Sequence, residues 1–199
     1  MKEERINGIV GDRASLKKGK EMFTEIARKR RSVKKFTSQQ VEQEKIDAII
    51  EAGLRSPSGR AARPWEFVVV KEKALLEKLS TARPSGAGFV KDAAVGIVVC
   101  GDPSKSRLWI EDCSIAAVSM QYAAHSMGLG TRWSQMRGNS YNDSTSSRDY
   151  IAGLLGLPDN LDIQCIIAIG YAGEEMVPYS KEDLGFDKVS YERYGLKTA

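Results

Sequence analysis

The chain has 199 residues, 42% of them apolar and 28% charged, with a formal net charge of +4. That is enough chain for one sizeable core, or at most two small ones, in a soluble globular protein. The balance is too mild to demand nucleic acid, no run of about 18 uncharged apolar residues is present to span a membrane, and the charged stretch Met1–Asp12 has no apolar segment of the kind a signal peptide needs.

Residues 1–20 read as a polar arm. A short helix is expected at Glu21–Arg28, with Met22, Phe23 and Ile26 on one side. Arg28 to Phe36 follows, six of its nine residues basic. Such a run is commonly a solvated basic face. Here Ser32, Val33 and Phe36 interrupt the charge, and alternate residues of an extended segment share a side. Arg30, Ser32 and Lys34 would then converge, and a guanidinium fork, a hydroxyl and an ammonium together suit a phosphate.

Thr37-Ser38-Gln39-Gln40 has the pattern of a capping box opening a helix, with Ile46, Ile49, Ile50 and Leu54 at helical spacing. The helix delivers Gly53–Val70, the stretch around which the chain is organised. Ser56-Pro57-Ser58-Gly59 is turn chemistry, Arg60 and Arg63 are fixed cations, and Trp65–Val70 is aromatic and β-branched, hence a strand. The loop is either an ordinary connection with solvated arginines or a seat for a polar ring edge or an anion.

Glu72–Leu79 reads as a helix and Thr81–Gly88 as a loop. The unbroken apolar run Ala93–Cys100 reads as an interior strand. Leu108–Met127 is expected to be a buried helix, since Cys113 through Met127 carries no charge, and its small residues suit close packing or a dimer contact. Gly128 is expected to end it. His125, the single histidine, is expected to be structural, with no triad or metal cluster around it. Thr131–Met136 reads as a short extended segment, Gly138–Ser147 as polar loop, Arg148–Leu155 as a helix stopped by Gly156, and Asp162–Gly173 as a second buried strand. Phe186, Val189, Tyr191 and Tyr194 punctuate the polar tail and suggest packing on something. Cys100, Cys113 and Cys165 are too scattered for a zinc spacing or a disulfide framework and are expected to be buried free thiols in a reducing cytoplasm.

Arg30-Arg31-Ser32-Val33-Lys34-Lys35-Phe36, then Ser56-Pro57-Ser58 with Arg63-Pro64-Trp65-Glu66-Phe67, then Gly128-Leu129-Gly130-Thr131, in this order and spacing, resemble the nitroreductase family of flavoproteins. The resemblance runs from about Phe23 to the C-terminus, so residues 21–199 are expected to form a single domain. It implies an α+β fold with a mostly antiparallel central sheet flanked by helices, in an intertwined homodimer with FMN at two interfacial sites. By the same resemblance, the phosphate and ribityl contacts fall on Arg30, Arg31 and Ser32, and a lysine near the flavin pyrimidine falls on Lys34. A loop from the partner subunit falls on Pro57, Ser58 and Gly59, the segment beside the ring on Trp133, Ser134, Gln135 and Met136, and a further phosphate cation on Lys181. Many members have Asn where this chain has Ala61, Gln at Arg63 and an acidic residue at Gln135, and some have an arginine at Asp183. Ala61 forgoes a hydrogen bond to flavin, and Arg63 either replaces it or faces substrate.

The implied activity is ping-pong electron transfer from NAD(P)H to a nitroaromatic, quinone or similar conjugated acceptor. The flavin carries the chemistry, so no catalytic protein side chain and no metal are expected. A flavin-binding module with little turnover is the alternative. Nucleic-acid binding is disfavoured because no aromatic RNA-reading motif accompanies the basic run.

Overall fold

The computed structural model describes residues 23–197. They form two compact units, one of residues 31–176 and one that joins residues 23–30 to 177–197. The first unit begins with helix α1 (Gln43–Leu54) and strand β1 (Trp65–Val70), followed by α2 (Lys73–Ser80), β2 (Val95–Gly101), α3 (Trp109–Ser126), β3 (Gly130–Gln135), α4 (Ser147–Leu155) and β4 (Asp162–Gly170). The four strands make one sheet in the order β1-β2-β4-β3, every neighbouring pair antiparallel. This is the expected α+β architecture.

Two apolar layers cover the sheet. On one face Ile46 and Ile49 of α1 and Cys113, Ala116, Ala117, Met120 and Ala124 of α3 pack on Ile97, Val99 and Ile167. On the other, Leu76 and Leu79 of α2, Val90 and Ile151 of α4 pack on Val98, Ile163 and Ile166. β2 is buried along its whole length, as its uninterrupted apolar run requires. The register shifts between Val99 and Cys100, leaving Gln164 as the extra residue of a bulge, and its carbonyl accepts from both Met136 N and Arg137 N at 3.2 Å.

Helix α3 ends as its glycine implies. Gly128 takes φ +80°, its N–H reaches the His125 carbonyl and the Leu129 N–H reaches that of Ala124, the paired bonds of a Schellman cap. Two expectations need correction. The Thr37–Gln40 box does not open α1. Phe36 bridges Ala172 and Thr37 N donates to the Tyr171 carbonyl at 2.9 Å, which holds the chain extended, and the helix starts only at Gln43. Nor is α3 buried all round: Ile115 and Val118 are 42% and 43% exposed on its outer face.

The three cysteines are buried and free. Burial pushes the Cys100 and Cys113 thiols up to about 12, and Cys165 well above its ordinary value. Thiolate is the reactive form, so the folded protein is expected to resist iodoacetamide at pH 8. Mass spectrometry should show alkylation of these residues only after denaturant is added.

The other unit is described by itself. Residues 23–29 are helical, with a Lys29–Glu25 ion pair at 2.6 Å. Its C-terminal part holds two short turns, Glu182–Leu184 and Phe186–Lys188. Phe186, Val189, Tyr191 and Tyr194 are all exposed within the single chain. The expectations for residues 1–22, including the start of the first helix at Glu21, lie outside the described residues. Among the described residues no helix is long and apolar enough to cross a membrane.

Candidate flavin site

The basic run is placed by pairing. Ser32 bridges Thr131 in parallel and Val33 N donates to the Thr131 carbonyl at 3.0 Å, so residues 31–34 lie along the open side of β3, the edge strand. Val33 is buried and packs directly on Gly130, where a side chain would collide with it. That apolar anchor turns Ser32 and Lys34 away from the core. The Glu174 carboxylate accepts from Lys34 N at 2.8 Å and Lys35 N at 3.1 Å, fixing the direction of the run. Beside it is a cleft of about 370 Å³ whose walls include Lys34, Lys35, Thr37, Ser38 and Lys73, with Asp92 the single acid among them.

Alternate residues of a strand turn their main-chain groups to the same side. Because Thr131 turns its carbonyl to the open edge, Trp133 and Gln135 do so too. The Gln135 carbonyl accepts from Arg83 Nη1 at 2.8 Å. The Trp133 N–H and C=O and the Gln135 N–H have no main-chain partner among the described residues. The Thr131 hydroxyl is buried without a hydrogen-bond partner. A row of open donors and acceptors next to clustered cations fits a planar heterocycle bearing an anionic chain, which is the chemistry of FMN.

The four residues expected beside the ring divide by strand alternation. Trp133 and Gln135 lie on the α3 face, joined by a bond from Trp133 Nε1 to Gln135 Oε1 at 3.1 Å. Ser134 and Met136 turn their side chains into the opposite layer, both 1% exposed, and Ser134 Oγ donates to the Gly86 carbonyl at 2.8 Å. Their main-chain groups turn toward β4 as well, Met136 N donating to the Gln164 carbonyl, so of the four only Trp133 and Gln135 face the open edge.

The loop from Pro57 to Arg63 sits elsewhere. It enters β1, the other edge of the sheet, next to Trp65, which pairs with Gly101. Ser32 lies at the end of the sheet where β1 finishes, because Thr131 pairs with Ile169 and Ile169 with Val95. The two groups are therefore diagonal across the sheet, at least three strand spacings or about 14 Å apart. One copy of the chain does not bring Pro57, Ser58, Gly59 and Arg63 to Arg31, Ser32 and Lys34. Arg30 and Lys181 belong to the other compact unit.

Three non-glycine residues of this loop are left-handed: Arg60 (φ 52°), Ala61 (φ 55°) and Arg63 (φ 45°). Each such residue costs about 1–2 kcal/mol. Local bonds hold them. The Gly59 N–H donates to Asp112 Oδ1 at 2.8 Å, and the Arg63 N–H donates to Ser58 Oγ at 3.0 Å. Asp112 is 2% exposed and also accepts from the Ser106 hydroxyl. Sequence reading missed Asp112, although it is the one carboxylate on the buried face of an otherwise apolar helix. It also missed Arg83, which carries no motif. Asn tolerates the left-handed region better than Ala, so Ala61→Asn is expected to raise stability by about 0.5–1 kcal/mol, read from the urea midpoint.

The sequence matches the model of the nitroreductase family over residues 27–171. An FMN-dependent nitroreductase from Clostridium difficile R20291 is 41% identical, superposes with a TM-score of 0.83, and aligns over 85% of this chain and 98% of its own. A crystal structure from Bacteroides thetaiotaomicron, named as an NADH dehydrogenase/NAD(P)H nitroreductase, is 35% identical with a TM-score of 0.78, over 86% of this chain and 98% of its own. A protein of the same name from Methanothermobacter thermautotrophicus is 35% identical over 173 residues, 85% of this chain and 86% of its own. With the match covering most of the chain and the antiparallel sheet in agreement, this protein belongs to the nitroreductase family of oxidoreductases.

Proposed function

We propose that the protein binds FMN and uses NAD(P)H to reduce a small conjugated acceptor, a nitroaromatic or a quinone. The observation that carries this is the open β3 edge, where unpaired main-chain groups of Trp133 and Gln135 run up to the cationic segment 31–34. Arg31 and Ser32 would hold the phosphate and ribityl chain, and Lys34 the pyrimidine side. The open main-chain groups of Trp133 and Gln135 would border the ring, with Ser134 and Met136 anchoring that segment in the sheet. The assignments of Arg30 and Lys181 stand on the resemblance. When bound, FMN supplies hydride acceptance and onward electron transfer. Lys34 would supply a positive charge on the pyrimidine side, which favours the reduced ring. With one space serving donor and acceptor in turn, ping-pong kinetics are expected, in a cytoplasmic protein as the three free thiols suggest.

The diagonal separation of the two residue groups supports a homodimer, in which Pro57, Ser58, Gly59 and Arg63 of one copy complete the site of the other. The exposed Ile115 and Val118 of α3 and the exposed aromatic tail supply apolar surface for it. The purified protein is expected to be yellow, to bleach on addition of NAD(P)H, and to recolour with acceptor. A colourless preparation that leaves added FMN fluorescence unchanged defeats the reading, and yellow protein that NAD(P)H does not bleach favours a binding module instead. Light scattering should give twice the chain mass. A monomer with flavin bound would contradict the shared site.

A further inference from the structure

A second feature lies at the β1 edge. The turn at Gly59–Ala62 and the residues leading into α3 enclose a recess of about 190 Å³, lined by Gly59, Arg60, Ala62, Lys105, Arg107 and Leu108, together with Ser106. Its charges are unequal. Lys105 is balanced by Glu66 at 3.6 Å and Asp102 at 4.0 Å. Among the described residues, Arg60 and Arg107 have no carboxylate within ion-pair distance. Asp112 is close by, but it is buried and its oxygens accept from Gly59 N and the Ser106 hydroxyl. Gly59, Ala62 and Leu108 supply an apolar wall, with Gly59 so near Leu108 that an added Cβ would come within 2.9 Å of its Cδ1. The Ser106 hydroxyl is committed to Asp112 and to the Leu108 N–H. Arg60 stands here in a left-handed conformation that Asp112 helps to enforce, and strained backbone of this kind clusters at active sites, ligand clamps and switch regions.

We propose that this recess receives a small organic carboxylate, its charge on Arg60 and Arg107 and its apolar body on Leu108 and Ala62, and that this carboxylate is carried by the electron acceptor. The second half rests on the reading above in which this loop of one copy completes the flavin site of the other, because within one copy the recess lies diagonally across the sheet from the cationic segment. Two guanidiniums suit a planar carboxylate, while an apolar wall without a spare hydroxyl disfavours free phosphate. An acceptor of this class is a nitrobenzoate. Its reduction balances as NAD(P)H and one proton giving two electrons and two protons to the nitro group, which becomes nitroso with loss of one oxygen as water.

The test compares 4-nitrobenzoate with its methyl ester, with benzoate binding followed by calorimetry on the flavin-loaded protein. Arg60→Asn keeps the left-handed backbone accessible, and Arg107→Gln changes an exposed side chain. Each is expected to raise KM for 4-nitrobenzoate about ten-fold, the loss of one charge-assisted contact, while KM for the ester and the flavin content stay as in wild type. The double variant should lose benzoate binding. Equal KM shifts for acid and ester, benzoate binding retained in the double variant, or displacement of benzoate by inorganic phosphate at similar concentration each overturn the recess. Wild-type protein that binds benzoate there yet reduces neither acceptor overturns the link to the acceptor and leaves the recess standing.

Discussion

Gly130→Ala is expected to cost about 3 kcal/mol, a fall of roughly 6–12 °C in Tm for a domain of this size, and to weaken FMN binding about ten-fold. The added methyl would overlap Val33 Cγ2 and stand 3.1 Å from its Cβ. Val33 has little freedom to retreat. It is 3% exposed, its N–H is bonded to the Thr131 carbonyl, and its neighbour Ser32 is paired with Thr131. Relief requires the whole segment 31–34 to lift from β3, which moves the proposed phosphate and pyrimidine contacts together. Val33→Ala in the same chain makes room for the methyl and should recover most of the loss, a coupling that a double-mutant cycle measures. If Gly130→Ala leaves both the denaturant midpoint and the FMN dissociation constant unchanged, the β3 edge does not fix the basic segment.

Asp112→Ala is expected to cost about 2–4 kcal/mol. It strips the half-buried Gly59 N–H of its acceptor at 2.8 Å and the Ser106 hydroxyl of one partner. The functional consequence should exceed that of a simple loss of stability. With its anchor gone, the turn can relax the left-handed Arg60 and Ala61, so preference for 4-nitrobenzoate over its ester should fall alongside the urea midpoint. Asp112→Asn retains one acceptor oxygen and should keep more of both. Equal midpoints for Asp112→Ala and wild type would mean that Gly59 does not depend on this carboxylate.

Much of the fold was legible because local chemistry and tertiary structure agree. The β-branched runs at Trp65–Val70, Ala93–Cys100 and Asp162–Gly173 could bury themselves only as strands, and the observed strands fall within a residue or three of those bounds. Gly128 and Gly156 end α3 and α4 because both need φ near +70 to +80°, as glycine allows. The exception at Thr37–Gln40 shows the limit. A good capping pattern yielded to Phe36 and Thr37 pairing with residues 171 and 172, contacts formed with residues more than 130 positions away.

What the sequence by itself determined was the family, the α+β class and the residue types suited to an anionic heterocycle, since these reside in order, spacing and composition. Tertiary structure decided where those residues stand. Strand alternation sent Ser134 and Met136 into the core while Trp133 and Gln135 stayed on the α3 face. Strand order set Pro57–Arg63 diagonally across from Ser32 and Lys34, so that the two halves of one motif set belong to different edges of the sheet. Asp112 became an anchor only when α3 packed beside the Gly59 turn, 53 positions away in the chain. Pairing between strands and helices distant in sequence depends on which surfaces meet once the core has closed, and no local pattern records that.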